Sequence, residues 1–171
     1  MGLKSPKFPA VPEGEISIDD PQAEDVRELL KRHLAFANTH SPPEDCHALD
    51  VDGLLDPAVT LFSYRLKGAL LGVGALKRLD GQHAELKSMH TAEAARRRGI
   101  GRALLSNLIG FARDGGFRRI SLETGSMPAF APSRSLYASA GFRPCGPFGD
   151  YSPCQNSTFM TLSLSSPVSE T

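Results

Sequence analysis

Residues 85–105 read Glu85-Leu-Lys-Ser-Met-His-Thr-Ala-Glu-Ala-Ala-Arg-Arg-Arg-Gly-Ile-Gly-Arg-Ala-Leu-Leu105, and this stretch decides the fold. The residues up to Thr91 indicate a strand, and the two glycines open a helix whose apolar residues recur at helical spacing. Gly115-Gly116 ends that helix, and Phe117–Thr124 alternates as a second strand. This order predicts a βαβ crossover with a parallel strand pair.

The flanking segments predict antiparallel strands and three further helices. Asp80-Gly81 is a strong hairpin signal, and Pro42-Pro43 ends an amphipathic helix that starts at Asp19-Asp20-Pro21. The predicted strands are Glu15–Ile18, Val59–Leu66, Ala69–Leu79, His83–Thr91 and Thr158–Leu164, and the shorter helices lie near Ala48–Leu55 and Ser133–Ala140. The sequence therefore predicts an α+β protein with a mixed sheet.

The length of 171 residues suits one domain, which we expect over residues 13–164. Prolines in residues 1–12 and the polar stretch 165–171 predict two disordered tails. No apolar run is long enough for a signal peptide or a membrane span, so we expect a cytoplasmic protein without a membrane partner. Three cysteines without paired spacing indicate neither a disulfide framework nor a metal knuckle.

The charge is balanced over the chain but not along it. The 19 Lys and Arg equal the 19 Asp and Glu, which argues against a globally basic nucleic-acid binder. Residues 85–119, however, hold eight Lys and Arg against three acidic residues. The positive charge is thus concentrated around the helix that follows Gly99.

The start of that helix predicts an anion site. The N–H groups of a first helical turn favour a phosphate, and Gly99 and Gly101 let it approach the backbone closely. Arg96, Arg97 and Arg98 add positive charge, so a pyrophosphate is the expected ligand. A P-loop would need Gly-Lys-Ser/Thr, and a dinucleotide fold would need glycine where Leu104 stands.

Two motifs carry a resemblance to a known family. Arg96-x-x-Gly99-x-Gly101 matches R/Q-x-x-G-x-G/A, and Ser135–Phe142 is similar to L-Y-x-x-x-G-F. From about Glu15 to Leu164 the chain resembles the Gcn5-related N-acetyltransferases (GNAT), especially small, poorly characterised bacterial members. The resemblance implies a mostly antiparallel sheet of six to seven strands, flanked by helices, around a central βαβ cofactor-binding unit.

The resemblance also implies acetyl-CoA as co-substrate and no metal. The acetyl group would pass by direct attack to a small-molecule or peptide amine, and many family members form homodimers. The pantetheine arm would pair with the edge at Met89, His90 and Thr91. The pyrophosphate would contact the loop and first turn formed by Arg96, Arg97, Arg98, Gly99, Ile100, Gly101 and Arg102.

The resemblance places two catalytic groups. An acceptor ammonium must lose a proton before it attacks, and Glu85 occupies the family's base position. Tyr137 would protonate the leaving thiolate. Glu85 could instead simply pair with Lys87, and Tyr137 could be a buried helix residue; His83 is a weaker substitute base.

Further residues are candidates for contacts with the cofactor or with the acceptor. Phe130 stands where the family commonly has a cofactor-contacting Asn, so Ser133 or Arg134 would take over that contact. Glu123 and Asp150 could attract a cationic amine. Arg134 or Arg143 could attract a carboxylate. Each of these four charged residues could instead be an ordinary surface charge.

Two other functions compete with catalysis. The chain could be a non-catalytic acyl-CoA-binding or regulatory domain, although the presence of both Glu85 and Tyr137 favours an enzyme. Nucleic-acid binding through the arginine run is the third interpretation, and the net charge argues against it. His33, His40 and His47 recur every seven residues, but Pro42-Pro43 interrupts their helical face, so no metal site is expected.

Overall fold

The computed structural model describes residues 14–164, so the tails predicted over 1–12 and 165–171 lie outside the described residues. Within that range the chain forms one seven-stranded sheet with helices on both faces. The strands are β1 Glu15–Ile18, β2 Val59–Leu66, β3 Ala69–Arg78, β4 His83–Thr91, β5 Arg119–Gly125, β6 Arg143–Cys145 and β7 Ser157–Ser163. The α-helices are α1 Glu24–His40, α2 Val51–Leu54, α3 Ile100–Asp114 and α4 Ala131–Ser139.

The strand order is β1-β2-β3-β4-β5-β7-β6. The β4–β5 pair is parallel, and α3 forms its crossover, while the other neighbouring strands are antiparallel. The predicted mixed, mostly antiparallel sheet with a central βαβ unit is therefore confirmed. The short β6 was not predicted from the sequence.

Two apolar cores lie on opposite faces of the sheet. On one face α3 buries Leu104, Leu105 and Leu108 against the central strands, and Tyr137 of α4 joins the same core. On the other face α1 buries Val26 and neighbouring leucines against β2 and β3. Each face of the sheet thus has its own helical cover, and each of the two longest helices presents a single apolar stripe.

The prediction that α1 starts at Asp19-Asp20-Pro21 is wrong, because the helix begins at Glu24. The Asp20 carboxylate accepts the Gln22 N–H at 2.9 Å, and the Asp20 carbonyl accepts the Ala23 N–H at 3.1 Å, which makes a turn before the helix. Asp19 instead accepts hydrogen bonds from Ser63 at 2.5 Å and from Arg65 at 3.0 Å. Asp19 therefore ties this turn to β2 and does not cap a helix.

The parallel strands β4 and β5 pair over only part of their lengths. Their register runs from His83 opposite Arg119 to Leu86 opposite Leu122 and then stops. Beyond that point β4 continues to Thr91 and β5 to Gly125 without pairing to each other. The two strands therefore diverge and open the sheet toward their carboxyl ends.

A β-bulge bends β4 where the strands separate. Val73 pairs with His90 and Ala75 with Lys87, so β4 holds one more residue than β3 over this interval. Ser88 has a φ of +57°, a left-handed conformation that a non-glycine residue adopts at some cost. The bulge reverses which face of the sheet the following side chains meet, so that His90 lies against α1 while Met89 contacts the α3 core.

Arg65 joins the first strands to α1, and its removal should destabilise the fold. Its guanidinium donates to Asp19 and, at 2.6 and 3.1 Å, to both oxygens of Asp25. Hydrogen bonds from Arg65 lower the pKa of Asp25, and at Asp19 the bonds from Ser63, Arg65 and the backbone outweigh burial and also lower the pKa.

We expect Arg65→Gln to reduce the free energy of unfolding at pH 7 by about 1–2 kcal/mol, a range that allows for the half-exposed Asp25. Lowered carboxyl pKa values stabilise the fold above about pH 4, so the deficit should shrink as the pH falls below that value. Urea denaturation at pH 7 and pH 3 measures both effects. Lys31→Gln, which removes an exposed pair with Glu28, is the control; an equal loss in both variants would refute the assignment.

Candidate active site

A cleft of about 630 Å³ occupies the gap between β4 and β5. On one side of the sheet it is lined by the start of α3 and by α4, and on the other by α1 and residues 41–48. Because the strands have separated, elements on both faces of the sheet contribute to the lining of one cleft. Two molecules could therefore enter from opposite sides and meet between the strands.

The α3 end of the cleft has the features of a phosphate site. Gly99 adopts a φ of +82° as the N-cap of α3, and Arg97 has a φ of +64°. These left-handed residues turn the chain sharply into the helix, whose first-turn N–H groups have no intrahelical acceptors. Arg96, Arg97 and Arg102 line the cleft with Gly99, Ile100 and Gly101, whereas Arg98 is exposed and does not line it.

Gly101 also has a packing role. A Cβ at this position would lie 3.3 Å from Leu136 Cδ2 and 3.6 Å from Thr91 Oγ1. The glycine therefore lets α4 approach the first turn of α3 closely, which helps to bring Tyr137 of the same helix to the cleft.

Met89, His90 and Thr91 line the cleft along the part of β4 that is not paired with β5. His90 Nδ1 lies 3.3 Å from His33 Nδ1 of α1, and the two rings meet edge to face. Burial lowers the pKa of His33 to about 4, and burial together with His33, Arg96 and Arg32 lowers that of His90 to about 4. Both imidazoles are therefore neutral at pH 7.

Tyr137 lies at the wall of the cleft and is 7% exposed. Burial raises its pKa well above the ordinary value, and the nearby Glu123 raises it further, so the phenol keeps its proton. Ser133 of the same helix lines the cleft. Arg134 does not: its guanidinium donates to the carbonyls of Gly125 at 2.7 Å and Met127 at 3.0 Å.

Glu85 lies in a hydrogen-bonded group on the α1 side. It is only 4% exposed, and its Oε2 accepts hydrogen bonds from Tyr151 Oη at 2.5 Å and from Lys87 Nζ at 3.2 Å. Lys87 Nζ also donates to Tyr151 Oη at 3.0 Å. Both bonds to Glu85 end on Oε2, so Oε1 takes part in neither, and Glu85 and Lys87 both line the cleft.

Glu123 lies on β5 across the gap from this group and lines the same side of the cleft. Burial raises its pKa above the usual carboxyl value, although Ser157, His47 and Lys87 partly oppose the shift. No lysine or arginine among residues 14–164 forms a salt bridge with Glu123. Asp150 and Arg143 do not line the cleft, and neither does His83, which contacts Ser121 at 2.7 Å.

Several residues in or beside the cleft could not be assigned to it from the sequence. Tyr151 contacts Glu85 from the loop before β7, and nothing in the local sequence indicates this partner. His33 and Phe36 line the cleft from α1, a helix whose sequence shows only an amphipathic pattern. Phe130, first noted as a departure from the family, lines the cleft opposite Phe36.

Two other features are absent from the described part of the chain, a metal-binding cluster and a membrane span. Residues 14–164 contain no cluster of three or more His, Cys, Asp and Glu side chains arranged to hold a metal ion. Within the same range, every helix is too short or too polar to traverse a bilayer.

Comparison with known proteins shows the family of the chain. The model of the acetyltransferase (GNAT) family matches residues 23–142. The chain is 44% identical over 149 residues to YsnE of Bacillus subtilis, an uncharacterized N-acetyltransferase, with 87% of this chain and 99% of the relative covered.

Two solved structures share the fold. A Klebsiella pneumoniae protein that has been assigned as an acyl-CoA N-acyltransferase has a TM-score of 0.74 at 24% identity, covering 89% of this chain and 98% of that one. A GNAT acetyltransferase of Elizabethkingia anophelis with acetyl-CoA bound has a TM-score of 0.67 at 20% identity, covering 88% and 98%. The resemblance inferred from the two motifs is confirmed, and the chain is a member of the acetyltransferase (GNAT) family of N-acetyltransferases.

Proposed function

We propose that this protein transfers an acetyl group from acetyl-CoA to an acceptor amine by direct attack in a ternary complex. The observation that carries the proposal is the cleft through the sheet, which has arginines and a helix N-terminus at one end and carboxylates at the other. A phosphate-bearing donor and a cationic acceptor suit these two ends, and their reacting atoms would meet between β4 and β5.

The α3 end fits the donor. The first-turn N–H groups after Gly99 would bind the pyrophosphate, with Arg96, Arg97 and Arg102 beside them. The unpaired edge of β4 at Met89 and Thr91 offers backbone groups to the amides of the pantetheine arm, as an added strand would use them. His90 and Ser133 line the path between these regions.

Glu85 is the proposed base. Its side chain lines the cleft on the α1 side, and Oε1 is not used by Tyr151 or Lys87. That oxygen would accept the proton that the ammonium releases, directly or through water, so that the nitrogen lone pair can attack the thioester carbon.

Glu123 is a second candidate for this role. It lacks the ammonium partner that Glu85 has, and burial raises its pKa, which makes the carboxylate a stronger proton acceptor. If Glu85 is the base, Glu123 would hold the ammonium in the cleft before it reacts.

Tyr137 is the proposed acid. As the C–N bond forms and the C–S bond breaks, the departing thiolate takes the phenolic proton. The nitrogen's second proton then returns to the tyrosinate, directly or through water, and Glu85 releases the first proton to solvent. The raised pKa of Tyr137 keeps that proton available at neutral pH. Backbone N–H groups beside the bulge near Met89 would stabilise the negative oxygen of the intermediate.

A domain that binds acyl-CoA without catalysis is the alternative. Glu85 and Tyr137 are both buried and both line the cleft, and binding of the donor alone would require neither side chain. A cytoplasmic location and a homodimer remain predictions, and a role in nucleic-acid binding has no support beyond the exposed arginines.

Acetyl transfer is tested directly by incubating the protein with acetyl-CoA and a mixed library of amines. We expect release of free CoA thiol that depends on an amine, and an acetylated product detectable by mass spectrometry. Tight binding of acetyl-CoA without any product would instead support the non-catalytic domain.

Tyr137→Phe should lower kcat by about 10- to 100-fold, because the thiolate would leave without a proton donor. The affinity for acetyl-CoA should stay within about twofold, since the ring and its packing remain. Thiol release and calorimetric titration measure the two quantities. A variant with full turnover would remove Tyr137 from the mechanism.

Two variants distinguish the candidate bases. We expect Glu85→Gln to lower kcat/KM about 100-fold and to flatten the limb of the pH profile that rises with pH. Glu123→Gln should raise KM for the amine and keep that limb. The reverse result would assign the base to Glu123, and Glu15→Gln, which changes an exposed strand residue, controls for the loss of one carboxylate.

Glu123→Gln should also stabilise the unliganded protein at pH 7. A carboxyl pKa raised by folding means that ionisation opposes the folded state above that pKa, and that this penalty disappears below the ordinary value. We expect the melting temperature to rise by a few degrees at pH 7 and the gain to vanish near pH 4. Scanning calorimetry at both pH values measures it, and no gain at pH 7 would contradict the buried environment assigned to Glu123.

A further inference from the structure

The part of the cleft on the α1 side differs in charge from the donor end. We call it the α1-side chamber; it is bounded by α1, residues 41–48 and the polar faces of β4 and β5. Three carboxylates line it, those of Asp45, Glu85 and Glu123, and Lys87 is its one ammonium among the described residues. The chamber is therefore net negative, which favours a cation.

Among the described residues, the chamber also holds no lysine or arginine available to an acceptor's carboxylate, and the charge of its one remaining basic residue, His47, already acts on Asp45 and Glu123. Lys87 is already bonded to Glu85 and Tyr151 and is 10% exposed, and Arg134 is held by two backbone carbonyls. His33 and His90 are neutral at pH 7. The arginines that line the cleft belong to the loop before α3 and to its first turn, where the donor phosphates would bind.

An aromatic wall closes one side of the chamber. The rings of Phe36 and Phe130 meet edge to face with centroids 5.4 Å apart, which connects α1 with the segment before α4 across the end of the gap. Phe130 can lie there because residue 125 is glycine: a Cβ at Gly125 would come within 2.3 Å of the Phe130 ring. Both phenylalanines line the cleft and are only partly buried.

We propose that the α1-side chamber selects a primary amine that carries an aromatic or apolar group and no carboxylate. The ammonium would lie near Glu123 and Glu85, and the apolar group would pack on Phe36 and Phe130. An amino acid with the same side chain would bring a carboxylate among three others, with no lysine or arginine among the chamber's described residues left to pair with it and with His47 already beside two of the three. The inference rests on the proposed function for the identity of the site, but it concerns binding and can be tested without turnover.

The test compares three amines at equilibrium with the protein saturated with CoA, so that no transfer takes place. By calorimetric titration at pH 7.5, 2-phenylethylamine should bind at least tenfold more tightly than phenylalanine, its carboxylated counterpart. It should also bind at least tenfold more tightly than ethylamine, which lacks the ring. Equal or tighter binding of phenylalanine, equal binding of ethylamine, or no binding of any of the three would overturn the proposal.

Variants assign the two preferences to residues. Glu123→Gln should reduce the preference for 2-phenylethylamine over phenylalanine at least threefold, and Phe36→Ala should reduce the preference over ethylamine by a similar factor. Asp114→Asn, which removes an exposed carboxylate at the end of α3, should change neither ratio. A fall in the first ratio for Asp114→Asn as large as for Glu123→Gln would show that total charge, and not the chamber, sets the preference.

Thiol release with the same amines separates this proposal from the proposed function. If 2-phenylethylamine binds selectively but is not acetylated, acetyl transfer to such amines fails while the binding selectivity stands. If phenylalanine is bound and acetylated in preference, the selectivity fails while acetyl transfer stands.

Discussion

The rest of the structure depends on the early end of pairing between β4 and β5. Parallel strands normally continue to exchange hydrogen bonds for as long as both are extended, because unpaired backbone groups in a sheet interior are costly. Here the register stops after Leu86 and Leu122, and the left-handed Ser88 turns β4 away. The unpaired groups then become available to a ligand, so the cost of the gap is offset when a strand-like molecule binds there.

Opposite charges lie on the two sides of the gap between β4 and β5. On the α3 side the chain places arginines and a helix N-terminus, and on the α1 side it places buried carboxylates with one paired lysine. The net charge of zero conceals this separation of charge, because the two regions lie on opposite faces of the same sheet. An electrostatic difference between the two mouths would orient a phosphate donor and a cationic acceptor before any specific contact forms.

The elements that could be predicted from sequence are those with local signals. Asp80-Gly81 correctly predicted where β4 begins, and Gly99 and Gly101 predicted the start of α3 to within one residue. The bulge at Ser88 has no such signal, because it lies where β4 still pairs with β3 but no longer pairs with β5. The contact of Tyr151 with Glu85 joins residues 66 positions apart, and only the assembled sheet brings them together. The sequence around Asp19, by contrast, is typical of a helix start. In the structure Asp19 instead accepts hydrogen bonds from Ser63 and Arg65 of β2, and the helix begins later, at Glu24.

The contact between His33 and His90 restricts which nitrogens of the two rings carry protons. Because the two Nδ1 atoms face each other at 3.3 Å, one must donate and the other accept. The donating ring then has an unprotonated Nε2, and the accepting ring has a protonated one. The two neutral histidines are thus opposite tautomers, and their Nε2 atoms together present one hydrogen-bond acceptor and one donor. If the proton between the Nδ1 atoms moves to the other ring, and the Nε2 atoms lose and gain a proton through water, the acceptor and the donor exchange places.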